Sequence, residues 1–235
     1  MKLSKSTQNK DSLLNKFKNQ FPKLKRYAEL IHEQNLVSNI TGFKSIDEIF
    51  NQGIMASLLF FSKAQDNYFI DFSGKKILDI GSGAGFPTVP LLIALDNSFE
   101  LVIIESITKR CQFLEKVKAE LNLNITIIND RSENVLNYKD NFDIVTARAL
   151  GSVVMIYLIS NHHLKNGGIF LLPKGKNYKT EIDKFKEKFT LEKENLKSFE
   201  YFDDINNESS SIVIIHKNKP TPRGWPWKWS KIKNY

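Results

Sequence analysis

The sequence predicts an α/β fold: a doubly wound, mostly parallel sheet behind an N-terminal helical extension. Three observations lead there. From Lys76 onward, short β-branched runs alternate with helical stretches, the pattern of strands joined by right-handed helical crossovers with helices on both faces. A glycine-rich turn, Gly81-Ser82-Gly83-Ala84-Gly85, joins the first such strand to the first such helix. The residues ahead of this region repeat apolar side chains at three- and four-residue spacing with no strand pattern.

The elements follow in order. Leu13, Leu14, Phe17, Phe21 and Leu24 predict a helix over 11–32, interrupted near Pro22. Ile49, Phe50, Ile54, Leu58 and Phe61 predict a second over 46–64. Strands are expected at 77–80, 101–104, 125–128, 142–146 and, after a turn at Gly167-Gly168, at 169–172; helices are expected at 89–95, at 108–121 and from about Ser152. Segments 189–191, 199–202 and 212–216 offer one or two antiparallel edge strands, and 206–211 reads as a turn. The expected organisation is a basic helical extension (1–70), an α/β domain (71–218) and a basic Trp-rich tail (219–235).

Composition narrows the function classes. With 235 residues, 41% of them hydrophobic, the chain can bury one good core plus an appendage. It has no apolar run long enough for a membrane span and no signal-peptide pattern, so a cytoplasmic protein is expected. Cys111 stands alone on a helical pattern and reads as a small buried hydrophobe. His32, His162, His163 and His216 have no partners at metal-ligand spacing, so no metal site is expected. The net charge of +8 is uneven: residues 1–26 carry eight Lys/Arg against Asp11, and residues 216–235 carry six with no acid. A mildly acidic body with two basic ends suits a polyanion grip around a small-molecule site, or simply solvated tails.

The glycine turn carries the chemistry. It lies at the carboxyl end of a parallel strand, where ligands of such sheets bind. A dinucleotide fingerprint would place its third glycine at position 86, which is Phe86. The Gly-x-Gly-x-Gly spacing after Asp79 instead lets the backbone pass close to the aminoacyl end and ribose of S-adenosylmethionine. Glu105 ends the next strand, where a carboxylate can accept both ribose hydroxyls. Gly81, Gly83, Gly85 and Glu105 are thus cofactor-binding candidates within a class I methyltransferase architecture.

Five blocks in order, "DIGSGAGFP", "IIESITKRCQFLEKVKAELNL", "NDRSENV", "FDIVTARAL" and "LLPKGKNYKTEI", resemble the ribosomal RNA small subunit methyltransferase G family, also called the glucose-inhibited division protein B family. The resemblance runs from about Asn35 to Glu181. It implies methyl transfer from S-adenosylmethionine to N7 of one guanine in the helix 18 loop of 16S rRNA; the expected partner is the 30S subunit or an assembly intermediate, and a monomer is expected. It also implies residue roles: Gly81 and Phe86 touch the cofactor, Asp79 orients the loop and the methionine amine, Glu105 holds the ribose, and Ser132 and Glu133 flank the adenine. Arg148, just past the fourth strand, sits beside the cofactor and the incoming base as the first catalytic candidate. Arg131 and Lys174 complete the candidate catalytic set as contacts to rRNA phosphates. Attack by N7 needs alignment rather than proton removal, so no general base is expected.

The chain departs from the family pattern in places. Gly53 and Ala56 stand where the family carries His and Asp, Thr88 where it carries glycine, and Trp227 where an arginine is expected. Trp225, Trp227 and Trp229 alternate along a segment expected to be extended, able either to stack on bases or to cover the sheet edge. A noncatalytic binding protein and a methyltransferase of another substrate are the other readings.

Overall fold

A computed structural model describes residues 8–235; Lys2 and Lys5 of the basic N-terminal run lie outside the described residues. Seven strands form one sheet: β1 (Lys76–Ile80), β2 (Glu100–Ile104), β3 (Ile125–Ile128), β4 (Phe142–Thr146), β5 (Leu164–Lys174), β6 (Leu196–Asp203) and β7 (Glu208–His216). The order is β3-β2-β1-β4-β5-β7-β6, with β1 to β5 parallel and β7 antiparallel to both its neighbours. The direction of winding reverses between β1 and β4, which pair in the register Asp79↔Thr146. A crevice for ligands opens at such a switch point, beyond the carboxyl ends of the strands.

Strand side chains alternate between two cores, as the period of two requires. Ile77, Leu101, Ile103, Ile144, Leu171 and Ile214 face one side, where they meet helices α1 (Gln8–Lys16), α2 (Phe21–Val37), α4 (Ala56–Tyr68), α5 (Thr88–Ala94) and α6 (Thr108–Leu121). Leu78, Val102, Ile104, Val145, Phe170 and Ile215 face α7 (Val153–Ser160) and α8 (Tyr178–Lys188). The extension therefore shares a core with the sheet: Tyr27, Ile31, Ile54 and Phe61 are fully buried in it.

Several expected elements change in detail. The first helix breaks at a 3-10 turn, Lys18–Gln20, and restarts at Phe21, where Pro22 fits the first turn because that turn's N–H groups need no intrahelical acceptor. The second is helical only by passing through a π-helical segment: α3 (Ile46–Glu48) leads into π turns over Ile49–Met55 before α4 begins. The Gly167-Gly168 pair lies inside β5 rather than before it, since the Gly167 N–H donates to the Lys217 carbonyl and the Lys217 N–H to the Gly168 carbonyl, just past the end of β7. The turn spans 204–207, with β7 starting at Glu208, and 189–191 forms no strand. Helix α8 is additional; only Tyr178, Ile182 and Phe185 of its charged sequence are buried. The tail is not extended throughout: it forms α9 (Trp229–Ile232) and packs over α7 and α8, burying Ile232. Three aromatic and aliphatic anchors gain more from that apolar surface than from solvent.

Just before β5, His162 and His163 stack with ring centroids 3.8 Å apart. The carbonyls of Val135 and Ser132 lie 3.1 and 3.2 Å from their Nε2 atoms. Lys217 Nζ donates beside them to Asp140 and to the Asn161 carbonyl, each at 2.9 Å. Burial pushes His162 down to about 4 and His163 to about 3. Below the ordinary histidine range the unfolded chain therefore takes up two protons that the folded chain refuses. Asp79, pushed up by burial to about 8, opposes with one proton over the same window. The net sign favours folding at higher pH. Thermal unfolding should give a midpoint roughly 5 °C lower at pH 4.5 than at pH 6, corresponding to about 2 kcal/mol; an unchanged midpoint would contradict the buried neutral pair.

Candidate active site

The crevice is built from the loop after β1. Gly81, Gly83 and Gly85 all have positive φ, of 63°, 63° and 108°, a region costly to residues with a Cβ. Two of them show what the glycines make room for. Space beside Gly83 is open where a side chain would stand, so the backbone itself lines the crevice. At Gly85 a Cβ would lie 2.6 Å from the Tyr27 hydroxyl. That hydroxyl donates to the Ala84 carbonyl at 2.6 Å, so α2 of the extension clamps the loop from beneath.

Asp79 is fully buried at the end of β1. Its Oδ2 accepts from the Thr88 hydroxyl at 2.6 Å, and its Oδ1 has no partner among the described residues. The threonine that replaces a family glycine thus covers half of the buried carboxyl. Burial, partly offset by Thr88, pushes Asp79 up to about 8. Glu105, equally buried, accepts from the Gly83 N–H at 3.0 Å and the Ile107 N–H at 2.9 Å, with Arg110 Nη1 at 3.6 Å. The carboxylate therefore fixes the middle of the glycine loop. Beyond β3, the 3-10 turn Ser132–Asn134 starts at the crevice. Its first N–H groups, those of Ser132 and Glu133, have no acceptor within the turn and can serve ring nitrogens; the Ser132 hydroxyl is turned inward to the Ile159 carbonyl at 2.9 Å.

Arg148 follows β4 and reaches back to the π-helical segment. Its Nη2 donates to the Gln52 carbonyl at 2.7 Å, and its Nη1 to the Gly53 carbonyl at 3.3 Å and Ser57 Oγ at 3.2 Å. Its guanidinium lies 5.7 Å from the centroid of the Phe86 ring. A Cβ on Gly53 would come within 2.5 Å of that ring, so Phe86 fills the space beside Gly53.

Three concavities meet along this line. One, of about 230 Å³, is lined by the glycine loop, Thr41, Phe43, Arg110 and Arg148. The next, of about 170 Å³, runs from Gly81 past Ile104 and Ser132 to Trp229. Leu150 packs on Gly81 between them. The third, of about 410 Å³, opens on the other side of Arg148 and Ala149 and is lined by Ala56, Lys174, Glu181, Tyr201 and Glu208. The first two form a bent trough along the glycine loop; buried behind that loop, the unpartnered Asp79 oxygen suits an ammonium and Glu105 suits hydroxyls, and the far end of the trough offers N–H donors. This donor set fits S-adenosylmethionine.

Of the sequence-predicted residues, Gly81, Gly83, Phe86, Ser132, Glu133 and Arg148 line this trough, whereas Asp79, Gly85 and Glu105 lie buried behind its glycine loop. Arg131 is at its end, bonded through Nε to Glu133 at 2.5 Å and stacked 4.0 Å above Trp229. Lys174 is engaged internally: its side chain is 8% exposed and Nζ donates to the Gly151 carbonyl at 2.7 Å and Glu181 at 2.8 Å. Sequence reasoning missed Tyr27, Gln52, Leu150 and Glu181. Only Tyr27 carried a signal, as the one polar group on the apolar face of α2.

Comparison with known proteins places this geometry in a family. A family model described as rRNA small subunit methyltransferase G matches residues 20–209. The chain is 32% identical to the ribosomal RNA small subunit methyltransferase G of Desulfitobacterium hafniense over 89% of its length and 86% of that protein, and 34% identical to the protein of that name from Mycoplasma capricolum over 89% and 88%. Its fold resembles that of the T. thermophilus 16S rRNA N2 G1207 methyltransferase, with a TM-score of 0.51 and 19% identity over 69% of this chain and 43% of that one. The glycine trough, its two carboxylates and the arginine beyond β4 thus belong to a member of the rRNA small subunit methyltransferase G family, a class of S-adenosylmethionine-dependent enzymes.

Proposed function

We propose that this chain transfers a methyl group from S-adenosylmethionine to N7 of one guanine in the helix 18 loop of 16S rRNA, acting as a cytoplasmic monomer on the 30S subunit or its precursor. The observation that carries the reading is the continuity of the trough, past Arg148, with the 410 Å³ cavity. That cavity is large enough for a splayed-out base, which is how RNA loops present their bases to proteins.

The cofactor supplies an electrophilic methyl carbon on a sulfonium. The protein supplies the rest. Asp79 and Glu105 hold the two polar ends of the ligand's ribose and amino acid, while the Ser132 turn accommodates its adenine. Arg148 is anchored to Gln52, Gly53 and Ser57 and so gives a fixed edge shared by the trough and the larger cavity, beside both cofactor and base. Lys174, tied to Glu181 and Gly151, acts as a positioning residue for the loop that carries Arg148. Guanine becomes cationic on methylation, and the acidic side chains Glu181, Asp203 and Glu208 around the larger cavity favour that charge. Exposed lysines near the mouth, such as Lys44, Lys109 and Lys176, suit rRNA phosphates.

Three outcomes test this reading. Labelled S-adenosylmethionine should methylate unmodified 30S subunits or 16S rRNA, with borohydride and aniline cleavage falling at one guanine of the helix 18 loop; cofactor binding without transfer to any assembly state would sink it. The affinity for S-adenosylhomocysteine should rise as much as tenfold per pH unit between pH 6 and 8, because its ammonium binds the ionised form of a carboxyl that burial raises to about 8. Asp79→Asn should flatten that profile in calorimetric titrations. Arg148→Lys loses the forked contact to two carbonyls and should lower kcat/KM on rRNA about 100-fold, as misplacement of reacting groups does, while far-UV circular dichroism stays unchanged.

A further inference from the structure

The family match ends at residue 209, yet the trough does not. Its far wall is Trp229, which lies in the tail beyond β7 and faces the same pocket as Gly81, Ile104, Ser132 and Glu133. The ring is 36% exposed, and the Arg131 guanidinium stacks 4.0 Å above it. Arg131 is held in turn by Glu133. The seat is built and not incidental. Ile232 on the same helical turn is buried, Trp225 packs edge-on to Tyr157 at 5.8 Å, Trp227 meets Tyr235 at 5.1 Å, and Lys188 donates to the Tyr235 carbonyl. Four anchors on α7, α8 and the tail itself thus fix the indole at the end of the crevice.

A pocket bounded by a planar indole, a planar guanidinium, aliphatic side chains and the free N–H groups of a 3-10 turn has the chemistry of a purine site. Stacking supplies the binding, and the N–H donors supply the orientation. We infer that Trp229 is a cofactor-binding residue: the C-terminal tail closes the adenine end of the S-adenosylmethionine trough, and a bound cofactor in turn steadies the tail. This rests on the cofactor reading above. It gives Trp229 a role different from its two neighbours, since Trp225 and Trp227 are spent on packing the tail. It also links the two sites. Lys228 and Lys231 flank Trp229, so the cofactor fixes the placement of basic groups available to RNA.

The test is calorimetric titration of the full-length protein and its Trp229→Ala and Trp229→Phe variants with S-adenosylhomocysteine and with methylthioadenosine, which lacks the amino-acid end. Trp229→Ala should weaken both ligands by the same factor, roughly tenfold for a lost stacking partner, and Trp229→Phe should retain affinity within about threefold. Hydrogen exchange on the wild-type protein, which needs no substitution, should show amides of residues 225–235 slowed by saturating S-adenosylhomocysteine. Unchanged affinity in a folded Trp229→Ala variant overturns the inference, including the case in which only RNA affinity falls, which would assign the indole to RNA. If that variant does not fold, unaltered tail exchange in the wild type overturns it. Failure of the wild type to bind S-adenosylhomocysteine at all would instead overturn the cofactor reading beneath it.

Discussion

The arrangement hinges on one half-buried guanidinium. Arg148 leaves the carboxyl end of β4 at the point where the sheet reverses its winding, and its donors end on the π-helical segment of the extension. A charge taken from water is tolerated only where its hydrogen bonds are replaced, and here main-chain carbonyls replace them. Those carbonyls are within reach because the helix widens into π turns between Ile49 and Met55, an irregularity frequent at functional sites. The same contact seats Phe86 against Gly53 and holds the glycine loop between Arg148 above and Tyr27 below. The extension is therefore part of the site: two of its helices fix the loop that the sheet alone would leave unsupported.

The residues expected from the sequence to depart from the family pattern each have a local fit. At Gly53 the Phe86 ring fills the space a side chain would need. Addition of a hydroxyl at Thr88 supplies a partner to a carboxyl that burial would otherwise leave doubly unsatisfied, and an unsatisfied buried acceptor costs on the order of 1–3 kcal/mol. Ala56 lines the larger cavity, so the smaller residue leaves room for a ligand there. None of these changes removes Asp79, Glu105 or Arg148 from the crevice.

What the sequence disclosed, and what it hid, divides by range. Strands β2, β3 and β4 and helix α6 lie within a residue of the positions expected from periodicity, because each carries its own apolar repeat and turn residues. The trough residues were readable because a strand, a glycine turn and a strand-ending acid occur in fixed order. Tertiary pairings were not. Nothing near Lys174 in the chain announces that Glu181, one helical turn into α8, would take its ammonium. The π turns replace one backbone hydrogen-bond register by another without altering the apolar pattern. The three tail tryptophans share a spacing but not a role, since their partners come from α7, from the tail itself and from the turn beyond β3.

The segment between β4 and α7 connects these pieces. Arg148 grips the extension, Ala149 adopts a left-handed conformation with φ of 55°, and Leu150 lies over Gly81 in the trough. The Gly151 carbonyl then accepts from Lys174, and the Val153 N–H donates to Glu181. Six consecutive residues thus contact the extension, the cofactor trough and the wall of the larger cavity. A left-handed alanine is costly by itself and persists where neighbours over-determine it; here it is fixed by a cation on either side. The same short segment borders both cavities. In the proposed reaction the alignment of nucleophile and methyl group therefore falls to this segment and to the Lys174 and Arg148 contacts that hold it, and no proton-transfer group is required.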